Sequence, residues 1–509
     1  MEMTVVSTDL NSGTSSESNA NASSPDVWSF VSAPDLHPMM VTINVNKPGT
    51  APGFIFVSPY ASFQATLTGQ TGSLIMDQAG NPVWFGALDS RYTQHMDFRV
   101  QTYNGQPVLT RWQGTVSGTQ SANPDLPYGD PESGAFFQIL DQHYQVIKTL
   151  TAQNGFTSDV HEFTLTERNT ALVLAVKQVA ADLTPYGGPA DGFFDNYSIQ
   201  EVDLATGELV FFWDVLAHVD PNDSILPVTT AASSNNIWDC YHLNSVEEGP
   251  DNTLLVSMRN MCAIYKIDKG TGNIIWQLGG KQNNFTFGPN ARFSWQHHAR
   301  HITEDRISLF NDNCSSPGIP AMGPAQGMIL QLDFQKMTAN VERTYYHDPA
   351  LTVATQGSVQ KLPNGNQFVG WGMKPYASEF GDGGNTIKDA SLNLLYDMQF
   401  PSQYMSYRAY KNEWVGLPLT PPSIAVDLSS GAATVYASWN GSTETVAWQV
   451  LAGTETNALS VVEKGAPRAG FETKMDVHSD GPYFQVMALD SSGQVIGEST
   501  IVHAGSGAK

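Results

Sequence analysis

The chain has 509 residues, 41% of them apolar and 15% charged, a composition that supports a large folded core and excludes global disorder. Its formal charge of −24 argues against nucleic acid and anionic membrane surfaces, since both reward positive charge, and any pocket for an anion must be locally positive. The longest apolar runs, such as ALVLAV at 171–176, suit one strand and not a membrane span.

Residues 1–27 are rich in Ser, Asn, Thr and Gly and are expected to be a disordered N-terminal segment. The first residues, MEMTVVSTDLNSG, lack the apolar stretch of a signal peptide. Asn-X-Ser/Thr sequons occur at Asn21, Asn196, Asn222, Asn284, Asn313 and Asn440. Together these favour a secreted glycoprotein whose leader is absent from the sequence.

From residue 28 to 415 one element recurs: an apolar strand ending in Asp, a short turn, then a second apolar or aromatic strand. It reads LIMDQAGNPVWF at 74–85, QILDQHYQVIKTL at 138–150 and QEVDLATGELVFFW at 200–213. It returns as YKIDKGTGNIIWQL at 265–278, LQLDFQKMTANVERTYY at 330–346 and LLYDMQFPSQYMSY at 394–407. The aspartates Asp77, Asp141, Asp203, Asp268, Asp333 and Asp397 are separated by 64, 62, 65, 65 and 64 residues. The Asp is expected to cap the turn by accepting backbone N–H groups. Trp84, Trp213 and Trp276 would then fill the gaps between neighbouring sheets. Ahead of each turn lies an alternating strand pair, as in HLNSVEEGPDNTLLVSMRN at 242–260. Four strands per repeat and six repeats predict an all-β, six-bladed β-propeller, with residues 28–60 completing part of a blade.

GLPLTPPS opens a linker at 416–422. Residues 423–509 carry short alternating strands at the spacing of a small β-sandwich, similar to a fibronectin type III module and expected to be accessory. The three cysteines, Cys240, Cys262 and Cys314, allow one disulfide at most and match no zinc spacing. No cofactor or metal is expected.

In a propeller the innermost strands face a central channel. Here they are expected to begin near HMDF (95–98), VHEF (160–163), YHLNS (241–245), QHHAR (296–300) and QGSVQ (356–360). Four carry a histidine near the start: His95, His161, His242 and His297. A lone strand histidine is more often structural than catalytic, but four at equivalent positions of a ring converge. Strand alternation puts His242 and Asn244 on one face, and lets only one of His297 and His298 look into the channel. Arg259, on the strand returning from His242, can reach the same rim, its plain alternative being a salt bridge at a sheet edge.

YHLNS, LLVSMRN, AIYKIDKGTGNIIWQLGG and WQHHAR resemble the arylsulfotransferase-like propeller family, in the form common in fungi and some actinobacteria. The resemblance spans roughly residues 50–410 and is most specific over 238–312. It implies transfer of a sulfo group between phenols through a sulfohistidine, without a nucleotide donor. Carried over, the Gln-His motif makes His297 the nucleophile. The His-X-Asn motif makes His242 and Asn244 binders of the sulfuryl oxygens, and Arg259 and His161 match the family's arginine and earlier histidine. His95 and Gln356 complete the expected substrate-binding set. His298 and Arg300, beside the nucleophile, are expected to reshape the pocket. The expected partner is a small phenolic or aromatic substrate. Two other functions fit the same scaffold: a non-sulfating cyclase of secondary metabolism, closing quinone methides by hetero-Diels–Alder chemistry, and a non-catalytic binding propeller.

Overall fold

The computed structural model describes residues 26–61, 67–88, 93–115, 134–228, 237–315, 320–429, 432–479 and 481–504. The expected disordered segment 1–27 lies outside the described residues except for Asp26 and Val27. These two are tied down: Met40 N–H donates to the Asp26 carbonyl at 2.8 Å and Val27 bridges Met39. Among the described residues no helix is long and apolar enough to cross a membrane.

The architecture is all-β, and its local rule is the turn chemistry of the repeat. Asp77 accepts N–H bonds from Ala79 and Asn81, Asp141 from His143 and Gln145, and Asp203 from Ala205 and Thr206. Asp268 and Asp333 do the same for Thr271 and for Gln335 and Lys336. A left-handed residue closes the turn, glycine at Gly272 (φ 75°) but Tyr144 (φ 62°) in the second repeat. The sixth aspartate departs from the pattern. Asp397 lies inside the strand Leu394–Gln399 and accepts from Ser378 Oγ and Asn44 Nδ2, because that strand is flanked on both sides and ends in no hairpin.

Among the described residues the strands form six sheets whose unit is a four-strand antiparallel meander, one of them extended by Thr286–Phe287, which pairs parallel with Thr338–Tyr345. Four take consecutive strands, as in Gln94–Tyr103, Gln106–Gly114, Phe136–Leu140 and Val146–Leu150. The other two borrow strands across the chain. Ala409–Asn412 pairs with Phe54–Val57, and Thr42–Asn46 pairs with Leu394–Gln399. The first strands of these sheets are Gln94–Tyr103, Thr157–Leu165, Leu243–Gly249, His297–Thr303, Ser358–Lys361 and Ala409–Asn412. Each touches the next, and Ala409–Asn412 touches Gln94–Tyr103 in turn. Tryptophans bind neighbouring sheets together: Trp84 stacks on Tyr144 at 4.6 Å, and Trp213 Nε1 donates to the Gly272 carbonyl at 2.8 Å.

The C-terminal strands form two further sheets. Ser423–Ser429, Ala432–Ser438 and Glu472–Val477 make one, and Ala447–Gly453, Ser460–Pro467 and Tyr483–Leu489 belong to the other. Val435, Ala437, Trp448, Val450, Phe484 and Val486 share one core. This part is bound to the first two sheets. Asn440 exchanges two hydrogen bonds with the Phe85 backbone, and Tyr144 Oη donates to the Gly441 carbonyl. The segment expected to be a linker is docked as well, with Leu417 N–H on the Gln142 carbonyl. All three cysteines are free and buried. Of the sequon asparagines, Asn196 lies within the strand Gly192–Asp203, buried, with its amide on Asp214.

Candidate active site

Three of the four expected histidines meet: His297 opens its strand, His242 stands just ahead of Leu243–Gly249, and His161 lies midway along Thr157–Leu165. The His161 and His242 rings are 4.7 Å apart, edge to face, and His242 and His297 are 6.4 Å apart. Each is held by a carboxylate at Nδ1: His161 by Asp159 at 2.7 Å, His242 by Asp239, and His297 by Asp312 at 2.7 Å. These three aspartates were not anticipated. The local signal was in the chain: Asp159 stands two residues before His161 and Asp239 three before His242. Asp312 is visible only through the hairpin that sets His297 opposite Phe310, two residues before it.

His297 and Asp312 are both 0% exposed. Gln356 N–H points at His297 Nε2 at 3.2 Å, and Thr355 Oγ1 is 3.4 Å from it. Nε2 therefore carries the lone pair and Nδ1 the proton, which it donates to Asp312. Burial, then the positive charge of Arg259, hold the imidazole well below its ordinary pKa. Burial raises the Asp312 carboxyl, with Arg259 opposing. Burial also lowers His242, against the pull of Asp239. A fourth aspartate, Asp195, is pushed well up by burial and then by Asp239 and Asp159.

Arg259 lies just past the strand Thr253–Met258, with its N–H on the His242 carbonyl. Its guanidinium sits 4.9 Å over the Trp295 ring, donates to Asn260 Oδ1 and the Ala354 carbonyl, and keeps Nε without a partner among the described residues. The loop that ends on Gln356 thus touches both the cation and the nucleophile candidate. Gln356 holds a left-handed backbone (φ 75°), and its side-chain amide donates to Tyr60 Oη at 2.5 Å.

Other expected residues stand elsewhere. His95 is bonded to Ser73 Oγ and Gln113 Oε1, both at 3.0 Å, with Arg111 3.3 Å away, and both its ring nitrogens are engaged there. His242 precedes its strand with a left-handed backbone (φ 52°), and a bulge follows between Leu243 and Ser245, so alternation does not pair it with Asn244. Asn244 is fully buried and spends its amide N–H on the Gln296 carbonyl at 2.7 Å, fixing the residue before His297. His298 (φ 55°) turns from His297 to meet the Val359 N–H and Tyr410 Oη. Arg300 points to Glu162 at 2.6 Å and not into the histidine cluster.

Beneath the histidines the first strands carry a buried charge cluster that the sequence reading missed. Arg408 meets Asp97 at 2.8 Å, Glu162 at 3.3 Å and the Asn244 carbonyl at 2.6 Å. Arg99 and Arg300 each add a 2.6 Å bond to Glu162. The three arginines hold the Glu162 carboxyl well below the usual range, outweighing its burial. The cluster has one more cation than anions, which makes this region positive in an acidic protein. Among the described residues no group of His, Cys, Asp and Glu is arranged to hold a metal ion.

Solved structures of low similarity cover most of the chain. One from Bacteroides caccae, of unknown function, is 9% identical with a TM-score of 0.38, over 70% of this chain and 98% of that one. One from Dyadobacter fermentans, also of unknown function, is 11% identical with a TM-score of 0.36, over 84% and 100%. A periplasmic gluconolactonase from Pseudomonas aeruginosa is 11% identical with a TM-score of 0.33, over 89% and 97%. A search of curated proteins finds no match. The family model described as Arylsulfotransferase (ASST) matches residues 99–392, a span that contains His161, His242, Arg259, His297 and the carboxylates that hold them, and the chain belongs to that family.

Proposed function

We propose that the protein moves a sulfo group from an aryl sulfate to a phenol through a covalent intermediate on His297. The scaffold is read as a six-bladed β-propeller over residues 28–415, with the C-terminal sheets as an accessory sandwich. The sheet orders and the ring of contacts between first strands support that reading. The observation that carries the chemistry is His297 itself: buried, neutral, its proton committed to Asp312 and its Nε2 lone pair beside Arg259's loop.

In the first half-reaction Nε2 attacks sulfur, the N–S bond forms, and the ester S–O bond breaks with its electron pair leaving on the phenolate. Asp312 holds the Nδ1 proton as the ring gains positive charge. The Arg259 Nε–H, the Gln356 N–H released from Nε2 and the surplus charge of the Arg408 cluster lie where the sulfuryl oxygens gain charge. In the second half-reaction the acceptor oxygen attacks sulfur and the N–S pair returns to His297. Neutral His242 takes the acceptor's proton, which ends on the released phenolate.

The test is turnover of an aryl sulfate with a phenol acceptor. His297→Asn is expected to abolish transfer. Arg259→Lys is expected to lose about 10²-fold or more, because a point charge cannot replace the planar fork. Full transfer by His297→Asn would refute the mechanism.

A further inference from the structure

The His297 side chain has no exposed surface, and the one lone pair able to attack sulfur is already covered. The cover is three residues long. Ala354 is exposed and Thr355 and Gln356 are half-buried, between Val353 and Gly357, which are buried. Thr355 Oγ1 and the Gln356 N–H lie against Nε2, at 3.4 Å and 3.2 Å. Attack on sulfur needs that nitrogen bare, so this strap moves before the chemistry begins.

The Leu351 carbonyl accepts the Ala325 N–H, and the Gly357 N–H donates to the Tyr407 carbonyl. Among the described residues no backbone-to-backbone bond holds Ala354, Thr355 or Gln356 between them. Side chains hold the strap instead. Arg259 and Cys314 Sγ donate to the Ala354 carbonyl at 2.9 Å and 3.3 Å, and the Gln356 amide donates to Tyr60 Oη at 2.5 Å. Tyr60 is buried and its backbone pairs with Met405, which makes it a fixed post. The closed strap is strained as well. Gln356 keeps a left-handed backbone (φ 75°), uncommon for a residue with a Cβ. Gly357 (φ 107°) supplies a pivot at a place where a Cβ would meet the Phe310 ring at 2.5 Å. Of the ties, the one an oxyanion breaks is that of Arg259, because a sulfate ester competes for the guanidinium better than a neutral carbonyl.

We propose that Tyr60 is a positioning residue for His297: through Gln356 it holds the Ala354–Gln356 strap over Nε2 until a sulfate group draws Arg259 from the Ala354 carbonyl and the strap lifts. As a step of catalysis this rests on the role proposed for His297. As a motion it does not, and its test needs no turnover.

The experiment is timed acylation of the full chain by diethyl pyrocarbonate, which attacks accessible, unprotonated imidazole nitrogens, read at each histidine by peptide mapping. In the wild type exposed His218 is expected to react fast and His297 slowly. Tyr60→Phe keeps the ring and removes the hydroxyl, Gln356→Ala keeps the N–H and removes the amide, and Arg259→Ala cuts the other tie. Each is expected to speed His297 about fivefold or more, the shift in open population that one hydrogen bond supports. His95 and His298, both buried, are expected to stay protected in all three. Wild-type His297 reacting as fast as His218, no acceleration in any one of the variants, or His95 and His298 reacting along with His297 would each overturn the inference.

Discussion

A histidine attacks sulfur only through an unprotonated ring nitrogen, and His297 is placed so that Nε2 stays unprotonated. Burial and Arg259 disfavour the imidazolium, and Asp312 fixes the tautomer by accepting the Nδ1–H hydrogen bond. Asp312 touches no substrate in this account and is a positioning residue. Asp312→Ala is expected to lower kcat roughly 10²–10⁴-fold with little change in KM, while Asp312→Asn, which keeps an acceptor oxygen, recovers part of the loss. Steady-state kinetics on both variants check this, and an unchanged kcat in Asp312→Ala would contradict it. The histidines were legible from residue type and recurrence. Of their carboxylates, Asp159 and Asp239 were signalled only by closeness in sequence, and Asp312 only by the hairpin pairing of His297 with Phe310; alternation itself fails at His242 and His298, whose left-handed backbones redirect both side chains.

At the scale of elements, short first strands carry the site, and a shared ion cluster ties them together. Glu162 on Thr157–Leu165 receives arginines from Gln94–Tyr103 and His297–Thr303, and Arg408 just ahead of Ala409–Asn412. Removing its charge leaves three guanidinium groups under-compensated in the core. Glu162→Gln is therefore expected to cost about 3–5 kcal/mol, read by denaturant unfolding, and a change within error would show the cluster to be dispensable. The strands were legible because aspartate-capped turns have a local cause, visible in five of six repeats. Asp397 misled because an apolar strand ending near an Asp looks the same whether the next strand comes from a hairpin or from Thr42–Asn46. The cluster was invisible because its members are 246 residues apart in the chain at Arg408 and Glu162.

At the scale of the whole molecule, strands from early and late in the chain share two of the sheets, Thr42–Asn46 with Leu394–Gln399 and Phe54–Val57 with Ala409–Asn412, and buried titrating groups set how the molecule answers to acid. Burial lowers His95, His242, His297 and His298, so below about pH 6.5 the unfolded chain binds protons that the fold refuses. Stability falls with pH through that window. Asp195 is raised and acts with the opposite sign, because the fold holds a proton there that the unfolded chain releases, whereas Asp312 is counted with His297, whose Nδ1–H it accepts. Four histidines outnumber one carboxyl, so Tm is expected to drop between about pH 6.5 and about pH 5. A flat or rising Tm over that range would contradict the assignment of neutral buried histidines. The central claim is the covalent step, and intact-protein mass after brief incubation with an aryl sulfate, followed by peptide mapping, tests it most directly. The account predicts one added sulfo group, on His297, in the wild type and none in His297→Asn. A wild-type protein that transfers sulfate without ever carrying the group, or a variant that carries it, would contradict the account.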